Sequence, residues 1–150
     1  MEIDMRLTLQ TDYALRMLMH LAVQDGDLAT ISDVADSYRI SKNHLMKVAQ
    51  ALVRAGVVEA VRGRGGGVRL ARHARQISVG GVVRALEDGT ALVECFPGGN
   101  GTCRITPSCQ LKHALHEARE AFFRVLDGYS IDDLVTGNTG LRDILIGDAA

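Results

Sequence analysis

The chain has 150 residues, a formal net charge of -1, 47% hydrophobic residues and 23% charged residues. This length suits a single domain with a sizeable core, and the composition is ordinary for a globular protein. No apolar run approaches the roughly 18 residues needed to span a bilayer, and the acidic start Met1-Glu2-Ile3-Asp4 is unlike a secretory signal. We therefore expect a cytoplasmic protein.

The small net charge conceals a basic middle segment, residues 39–75. This segment has nine Arg or Lys residues against one acid, Glu59, so its local charge is +8 while the rest of the chain carries -9. A local basic field on an otherwise acidic protein is typical of a surface that contacts nucleic-acid phosphates.

Helical periodicity and capping residues predict three helices before Gly56. The first has Thr11 or Thr8 as its cap and ends before Gly26, while the second begins with a capping box. The predicted helices are Asp12 to Gln24, Thr30 to Tyr38 and Ser41 to Ala55.

The third predicted helix separates an apolar face from a polar face. Its inward side chains are Leu45, Val48, Ala49 and Leu52. We expect the first turn to reach base edges in the major groove, while Lys47 and the helix N-terminus hold phosphates. The candidate base-contacting residues are Ser41, Lys42, Asn43 and His44.

After Gly56 the pattern alternates in the two stretches that flank the sequence Gly63-Arg64-Gly65-Gly66-Gly67. Alternation around a glycine-rich turn predicts a β-hairpin. Its basic tip would bring Arg62 and Arg64 into or beside the minor groove, where negative potential favours arginine. The predicted fold is therefore mainly α, a winged helix-turn-helix of three helices and a two-stranded wing with a long C-terminal dimerisation helix.

The C-terminal half is predicted to hold a helix from Val79 to Glu87, a long helix from Ser108 to about Asp127 and a short helix ending at Val135. Residues 141–150 are expected to form a short, partly mobile tail. The long helix carries an apolar stripe like a coiled-coil seam, which would pair with a second copy in a homodimer. The stripe consists of Leu111, Leu115, Ala118, Phe122 and Val125.

These elements suggest three regions: a DNA-binding domain at residues 1–77, a linker helix with a cysteine loop at 78–107, and a dimerisation helix with the tail at 108–150. Apart from the wing and the cysteines, no motif carries chemistry. His113 and His116 lie beside Glu117 without a partner motif for nucleophilic or hydrolytic catalysis, so we do not expect an enzyme.

All three cysteines lie in a Gly- and Pro-rich loop, as Cys95, Cys103 and Cys109, with the spacing C-x7-C-x5-C. Three clustered thiols in a reducing compartment favour an iron-sulfur cluster, which needs a fourth ligand from elsewhere. A structural zinc site with His113 as its fourth ligand is an alternative, although zinc sites favour closer cysteine pairs. Free or redox-active thiols are a third.

Three stretches carry a resemblance to a known family: residues 5–16, residues 61–67 and the three-cysteine loop. Together they resemble the bacterial iron-sulfur transcription regulators that include NsrR, IscR and RirA. Within that family, the residues around Cys95 and from Ile105 to Lys112 are most similar to the nitric-oxide-sensing NsrR repressors. The resemblance implies a homodimer that binds a pseudo-palindromic site in double-stranded DNA and a 4Fe-4S cluster, with 2Fe-2S as the alternative.

The resemblance also implies a ligand set. In IscR the fourth ligand is a histidine three places after the last cysteine, where this chain has Lys112. The NsrR pattern uses an aspartate in the first helix of the other subunit, and Asp12 occupies the matching position. The implied ligands are therefore Cys95, Cys103 and Cys109 with Asp12 of the partner subunit. The similarity to RirA leaves iron as an alternative signal, and a zinc-stabilised interaction module or small metalloenzyme is the alternative of a different class.

Overall fold

The computed structural model describes residues 7–87, 101 and 104–147. The chain forms a winged helix-turn-helix followed by a helical C-terminal half. Its helices are α1 (Leu9–Val23), α2 (Ile31–Tyr38), α3 (Lys42–Arg54), α4 (Val79–Leu86), α5 (Gln110–Asp127), α6 (Ile131–Val135) and α7 (Thr139–Ile146), its strands are β1 (Val58–Val61) and β2 (Gly67–Leu70), and single 3₁₀ turns occupy Ala74–Gln76 and Thr106–Ser108. None of the described helices is long and apolar enough to cross a membrane.

Helix α1 is the central element of the core. Ala14, Met17 and Leu18 are fully buried, and α1 contacts α3, α4, α6 and α7. The helix begins at Leu9, three residues before the predicted start. Thr8 is its N-cap, with the hydroxyl oxygen accepting from the Thr11 N–H at 3.3 Å. Thr11, the other candidate cap, is buried one turn inside the helix.

The turn between α2 and α3 is fixed by local backbone geometry. The predicted capping box at Thr30 is present, with Asp33 as its second member. At the other end of α2, Arg39 adopts a left-handed conformation with φ 55°, and the N–H of Ile40 donates to the Ala35 carbonyl at 3.0 Å. The Tyr38 hydroxyl donates to the Arg16 carbonyl at 2.7 Å, which ties the end of α2 to α1.

Helix α3 and the wing follow the prediction closely. Ser41 caps α3, and all four predicted inward residues are buried. The two strands are antiparallel, with Val58 opposite Leu70 and Val61 opposite Gly67. Ala29, in the loop between α1 and α2, forms an isolated antiparallel bridge with Val68 of β2. The two residues exchange backbone hydrogen bonds of 2.9 and 2.8 Å.

The C-terminal helices pack back onto the winged helix-turn-helix. The N–H of Ile131, a fully buried residue, donates to the Ile77 carbonyl at 2.9 Å, and α6 contacts α1. The prediction of a partly mobile tail is wrong for residues 141–146, because these residues belong to α7. Helix α7 contacts α1 and α2 and buries Leu145. The Ser37 hydroxyl also donates to the Leu145 carbonyl at 3.1 Å.

Candidate DNA interface and cluster-ligand positions

The first turn of α3 presents polar and basic side chains to solvent. Lys42, Asn43 and Lys47 are exposed. Ser41 is also exposed, and its hydroxyl accepts from the His44 N–H at 3.4 Å as the N-cap. This surface therefore combines a helix N-terminus with two lysines, an arrangement that suits phosphate and base contacts.

His44 differs from its neighbours in this turn because it is half-buried. Its ring lies edge-on to the ring of Tyr13 in α1, with centroids 4.8 Å apart and planes at 61°. On α1, the guanidinium carbon of Arg16 lies 5.4 Å from the centroid of the same Tyr13 ring. The predicted base-contacting set is thus divided, with three members open to solvent and one packed on α1.

The wing tip projects Arg62 and Arg64 into solvent. Gly63 and Gly65 have φ values of 96° and 76°, in the region that residues with side chains rarely adopt. A Cβ on Gly66 would clash with the Val61 carbonyl. The glycine pattern therefore shapes the turn itself and leaves the two arginines as the only long side chains at its tip.

Two of the nine basic residues of segment 39–75 pair with acidic side chains. Arg69 pairs with Glu59 across the strands, and Arg75 pairs with Asp132 at 3.4 Å. The predicted DNA-contacting cations form no ion pair with any other residue that the structure describes. Those cations are Lys42, Lys47, Arg62 and Arg64. Their charge is therefore available to neutralise phosphates.

Of the candidate cluster ligands, Cys109 is well placed for a metal-bound thiolate. It is the N-cap of α5, half-buried, and its Sγ accepts from the Lys112 N–H at 3.4 Å. Hydrogen bonds to sulfur and a helix N-terminus stabilise negative charge on a ligating thiolate, so the environment of Cys109 fits a cluster. Cys95 and Cys103 lie outside the described residues. Within the described part of the chain, no group of three His, Cys, Asp or Glu residues could hold a metal ion.

Asp12 lies in the first turn of α1 and forms a two-point ion pair with Arg16. The Oδ1 atom accepts from the arginine Nε at 3.1 Å, and Oδ2 accepts from Nη2 at 3.0 Å. The side chain of Asp12 is 45% exposed, so a group outside this chain can reach its carboxylate. An exposed carboxylate is a suitable oxygen donor for iron.

The start of α1 is fastened to the end of α4. Glu87 is buried, and one of its carboxylate oxygens accepts from both the Thr8 N–H at 2.7 Å and the Thr8 hydroxyl at 3.0 Å. Asp12 is one turn beyond Thr8 in α1, while Glu87 immediately precedes the segment that leads to Cys95. This contact therefore fixes α1, which carries the candidate ligand Asp12, against the end of α4, which precedes the candidate ligand Cys95 in the chain.

Helix α5 has one packed face and one open face. Phe123 is buried between two guanidinium groups, with Arg84 at 4.5 Å and Arg119 at 4.9 Å from the ring centroid. On the open face, Leu111 and Val125 of the predicted stripe are 61% and 63% exposed. Leu115 is half-buried, and the other four stripe residues form an apolar surface that the described part of the chain leaves uncovered.

Three contacts of the site were not found from sequence. The Asp12–Arg16 pair has the i, i+4 spacing of helical ion pairs and was detectable in principle. The contacts Tyr13–His44 and Thr8–Glu87 join residues far apart in the chain, and no local pattern indicates them.

Known proteins with similar sequences and folds include regulators of transcription. The profile of the Rrf2 family, described as "Iron-dependent Transcriptional regulator", matches residues 7–137. The chain is 47% identical over 142 residues to the HTH-type transcriptional regulator NsrR of Bacillus subtilis (strain 168), covering 94% of this chain and 97% of that protein. It is 48% identical over 141 residues to Protein aau3 of Rhizobium meliloti (strain 1021), covering 94% and 92%. Among solved structures, IscR of T. potens superposes with a TM-score of 0.66 at 25% identity, covering 88% of this chain and 87% of that one.

Proposed function

Because the chain belongs to the Rrf2 family of transcriptional regulators, we propose that it is a cytoplasmic, homodimeric repressor whose iron-sulfur cluster senses nitric oxide. Its relatives are regulators of transcription and not enzymes. The observation that carries the proposal is the accessible carboxylate of Asp12, which lies on the helix that also forms the core of the DNA-binding domain.

DNA recognition follows from the exposed polar residues of α3 and the wing. With α3 in the major groove, Ser41, Lys42 and Asn43 reach base edges, while Lys47 and the helix N-terminus hold phosphates. Arg62 and Arg64 at the wing tip enter or flank the minor groove. Each subunit reads one half of a pseudo-palindromic site.

The homodimer is supported by the open face of α5. Leu111, Phe122 and Val125 are large apolar side chains exposed along one helix. A second copy of α5 presents the same stripe and would bury both in a symmetric contact. Because α5 packs on α4 in each subunit, this contact sets the separation of the two wings.

The cluster would be held by Cys95, Cys103 and Cys109 of one subunit with Asp12 of the partner subunit. A bound 4Fe-4S cluster supplies reactivity toward nitric oxide. An oxygen donor is more labile on iron than a thiolate, which suits a bond meant to break. Without the cluster, the Asp12 carboxylate pairs with Arg16 in its own subunit, and the constraint between the two subunits would be absent.

Anaerobic titration of the cluster-loaded dimer tests this function. Nitric oxide is expected to bleach the visible absorbance of the cluster and release operator DNA together. In Asp12→Ala the cluster spectrum and DNA affinity should both change, whereas Asp143→Ala, which removes an exposed carboxylate on α7, should leave both unchanged. Unaltered cluster type, dimer geometry and DNA affinity in Asp12→Ala would refute the mechanism.

Iron is the second candidate signal, favoured by the family description "Iron-dependent". In that case an iron chelator removes the cluster absorbance and releases operator DNA together, whereas nitric oxide leaves the DNA bound. Parallel titrations with chelator and nitric oxide separate the two signals.

A further inference from the structure

We infer that Met46 is a specificity-determining residue of α3, and that its side chain recognises the 5-methyl group of a thymine in each half-site. This inference rests on the proposed function and deepens it, because it names one base that the recognition helix selects. The contact differs in kind from the polar contacts of Ser41, Lys42 and Asn43, since it requires an apolar group on the DNA.

Met46 is an apolar side chain on the polar face of α3. It is 45% exposed, whereas Leu45 and Val48 of the same helix are fully buried. Single exposed apolar side chains are common on protein surfaces, so exposure by itself identifies no function. The position of Met46 among its neighbours is the evidence that assigns one.

Met46 lies one helical turn beyond the residues proposed to contact bases. It is three residues after Asn43 and four after Lys42, and both spacings place side chains next to each other on one face of a helix. Side chains on a helix also lean towards its N-terminus, so Met46 covers the surface beside that first turn. A helix that brings its first turn to base edges therefore brings Met46 into the same groove, about 4.5 Å further along the helix axis.

The charge around Met46 favours DNA over an apolar protein partner as the molecule that covers it. Lys42 and Lys47 are its exposed neighbours, and neither forms an ion pair with another residue in the described ranges of the chain. Gln50, one turn further on, is also exposed. Two unpaired lysines are costly to bury in an apolar interface, whereas a polyanion neutralises them.

The thymine methyl group is the apolar feature that base pairs present in the major groove, where the other distinguishing groups are hydrogen-bond donors or acceptors. Methionine has no hydrogen-bond donor, and its flexible, unbranched side chain adapts to an apolar surface. Contact between the two removes apolar area from water on both sides. Burial of one methyl-sized group is equivalent to about fourfold in affinity, so one contact in each half-site gives about tenfold or more for the dimer.

Deoxyuridine in place of thymidine tests this contact, because it removes the methyl group and keeps every hydrogen-bonding group of the base. The probe is a duplex that the wild-type protein selects from a random-sequence pool, with the loaded and cluster-free forms used in parallel. Each thymine of the selected site is then replaced in both half-sites together. At one position the replacement should weaken wild-type binding about tenfold and weaken Met46→Ala binding less than about twofold.

A replacement penalty that is equal in wild type and Met46→Ala at every thymine would overturn the inference, because another residue or the shape of the duplex would then read the methyl group. Absence of any penalty in the wild type would overturn it as well. Met46→Gln keeps the length and nearly the helix propensity of methionine but carries a polar amide. It should therefore lose the penalty as Met46→Ala does.

Val53→Ala is the matched control on the same helix. Val53 is 41% exposed in the last turn of α3, about 15 Å along the helix axis from Asn43. This variant should keep the full wild-type penalty, and its loss there would contradict the assignment to Met46. Thermal unfolding of all variants establishes that each is folded at the temperature of the binding titrations.

The selection also separates this inference from the proposed function. A selected site that does not respond to nitric oxide defeats the sensing function alone, because the deoxyuridine comparison still decides the role of Met46. Selection of no sequence by either form defeats DNA recognition itself, and the inference with it. A selected site that responds to nitric oxide and shows a methyl penalty independent of Met46 defeats the inference alone.

Discussion

Gly80 allows α4 to approach α5 closely, and its replacement gives a sharp test of how α5 is attached to the rest of the chain. A Cβ at position 80 would lie 2.6 Å from the backbone nitrogen and 2.9 Å from the Cα of Asp127. Both distances are shorter than real Cβ contacts, and the opposing atoms are backbone. Gly80→Ala therefore forces the end of α5 away from α4, which also disturbs the pair between Asp127 and Arg84 at 3.0 Å.

The expected magnitude follows from two opposing effects. Overpacking of this kind costs about 1–3 kcal/mol, and replacing a helical glycine by alanine returns about 0.5–1 kcal/mol. The net loss is up to about 2.5 kcal/mol in the free energy of unfolding, or a fall of up to about 10 °C in Tm for a chain of this size.

Gly81→Ala is the matched control in the same turn of α4. Its Cβ would meet nothing nearer than the Ser78 Cβ at 3.6 Å, an ordinary contact. It should gain about 0.5–1 kcal/mol, which raises Tm by about 1–4 °C. Thermal unfolding of the cluster-free protein at one fixed concentration measures both variants. Similar Tm values for Gly80→Ala and Gly81→Ala would refute the close packing of α4 on α5.

Three further predictions concern DNA, assembly and pH. Arg62→Ala and Arg64→Ala should each lower the salt slope of operator binding by about 0.9, because each removes one phosphate contact; an unchanged slope in binding titrations over a salt series would exclude that contact. Val125→Glu, which puts a charge on the open face of α5, should convert the dimer to monomers in native mass spectrometry, and a dimer of unchanged mass would exclude the seam. Burial of His20 lowers its pKa, with Asp33 opposing, so the unfolded chain takes up a proton near pH 6.5 while the folded chain resists it. Stability present above pH 6.5 is therefore lost as the pH falls, and chemical denaturation should show a larger loss of unfolding free energy between pH 7.5 and 5.5 for the wild type than for His20→Leu; equal losses would show that His20 is not responsible.

The helix-turn-helix and wing were predictable because their signals are local. The two faces of α3 follow from its helical period, and the wing follows from alternation around a glycine turn. The start of α1 was not predictable, since both Thr8 and Thr11 are suitable caps. The deciding contact comes from Glu87, which is 79 residues from Thr8 in the chain.

The candidate site was only partly predictable for the same reason. The exposed cations of α3 and the wing could be read from charge and period, whereas Asp12 was assigned from family resemblance and not from spacing. The packing of His44 on Tyr13 depends on how α1 and α3 cross, and tertiary packing of that kind has no signature in a local window. Helix α7 was missed because it has only eight residues and its buried side depends on α1 and α2.

The two hydrogen bonds between Ala29 and Val68 have a consequence for operator choice. They join the wing to the loop that precedes α2, and β1 contacts α3, so the wing and α3 are packed into one unit. In the proposed dimer, regulation would then act on the distance between two such units. One base pair inserted between half-sites rotates one of them by about 34–36°. An operator with an altered spacer would then be bound more tightly by the cluster-free form than by the loaded form. In response to a single signal, the same protein would bind the DNA of one promoter and release the DNA of another.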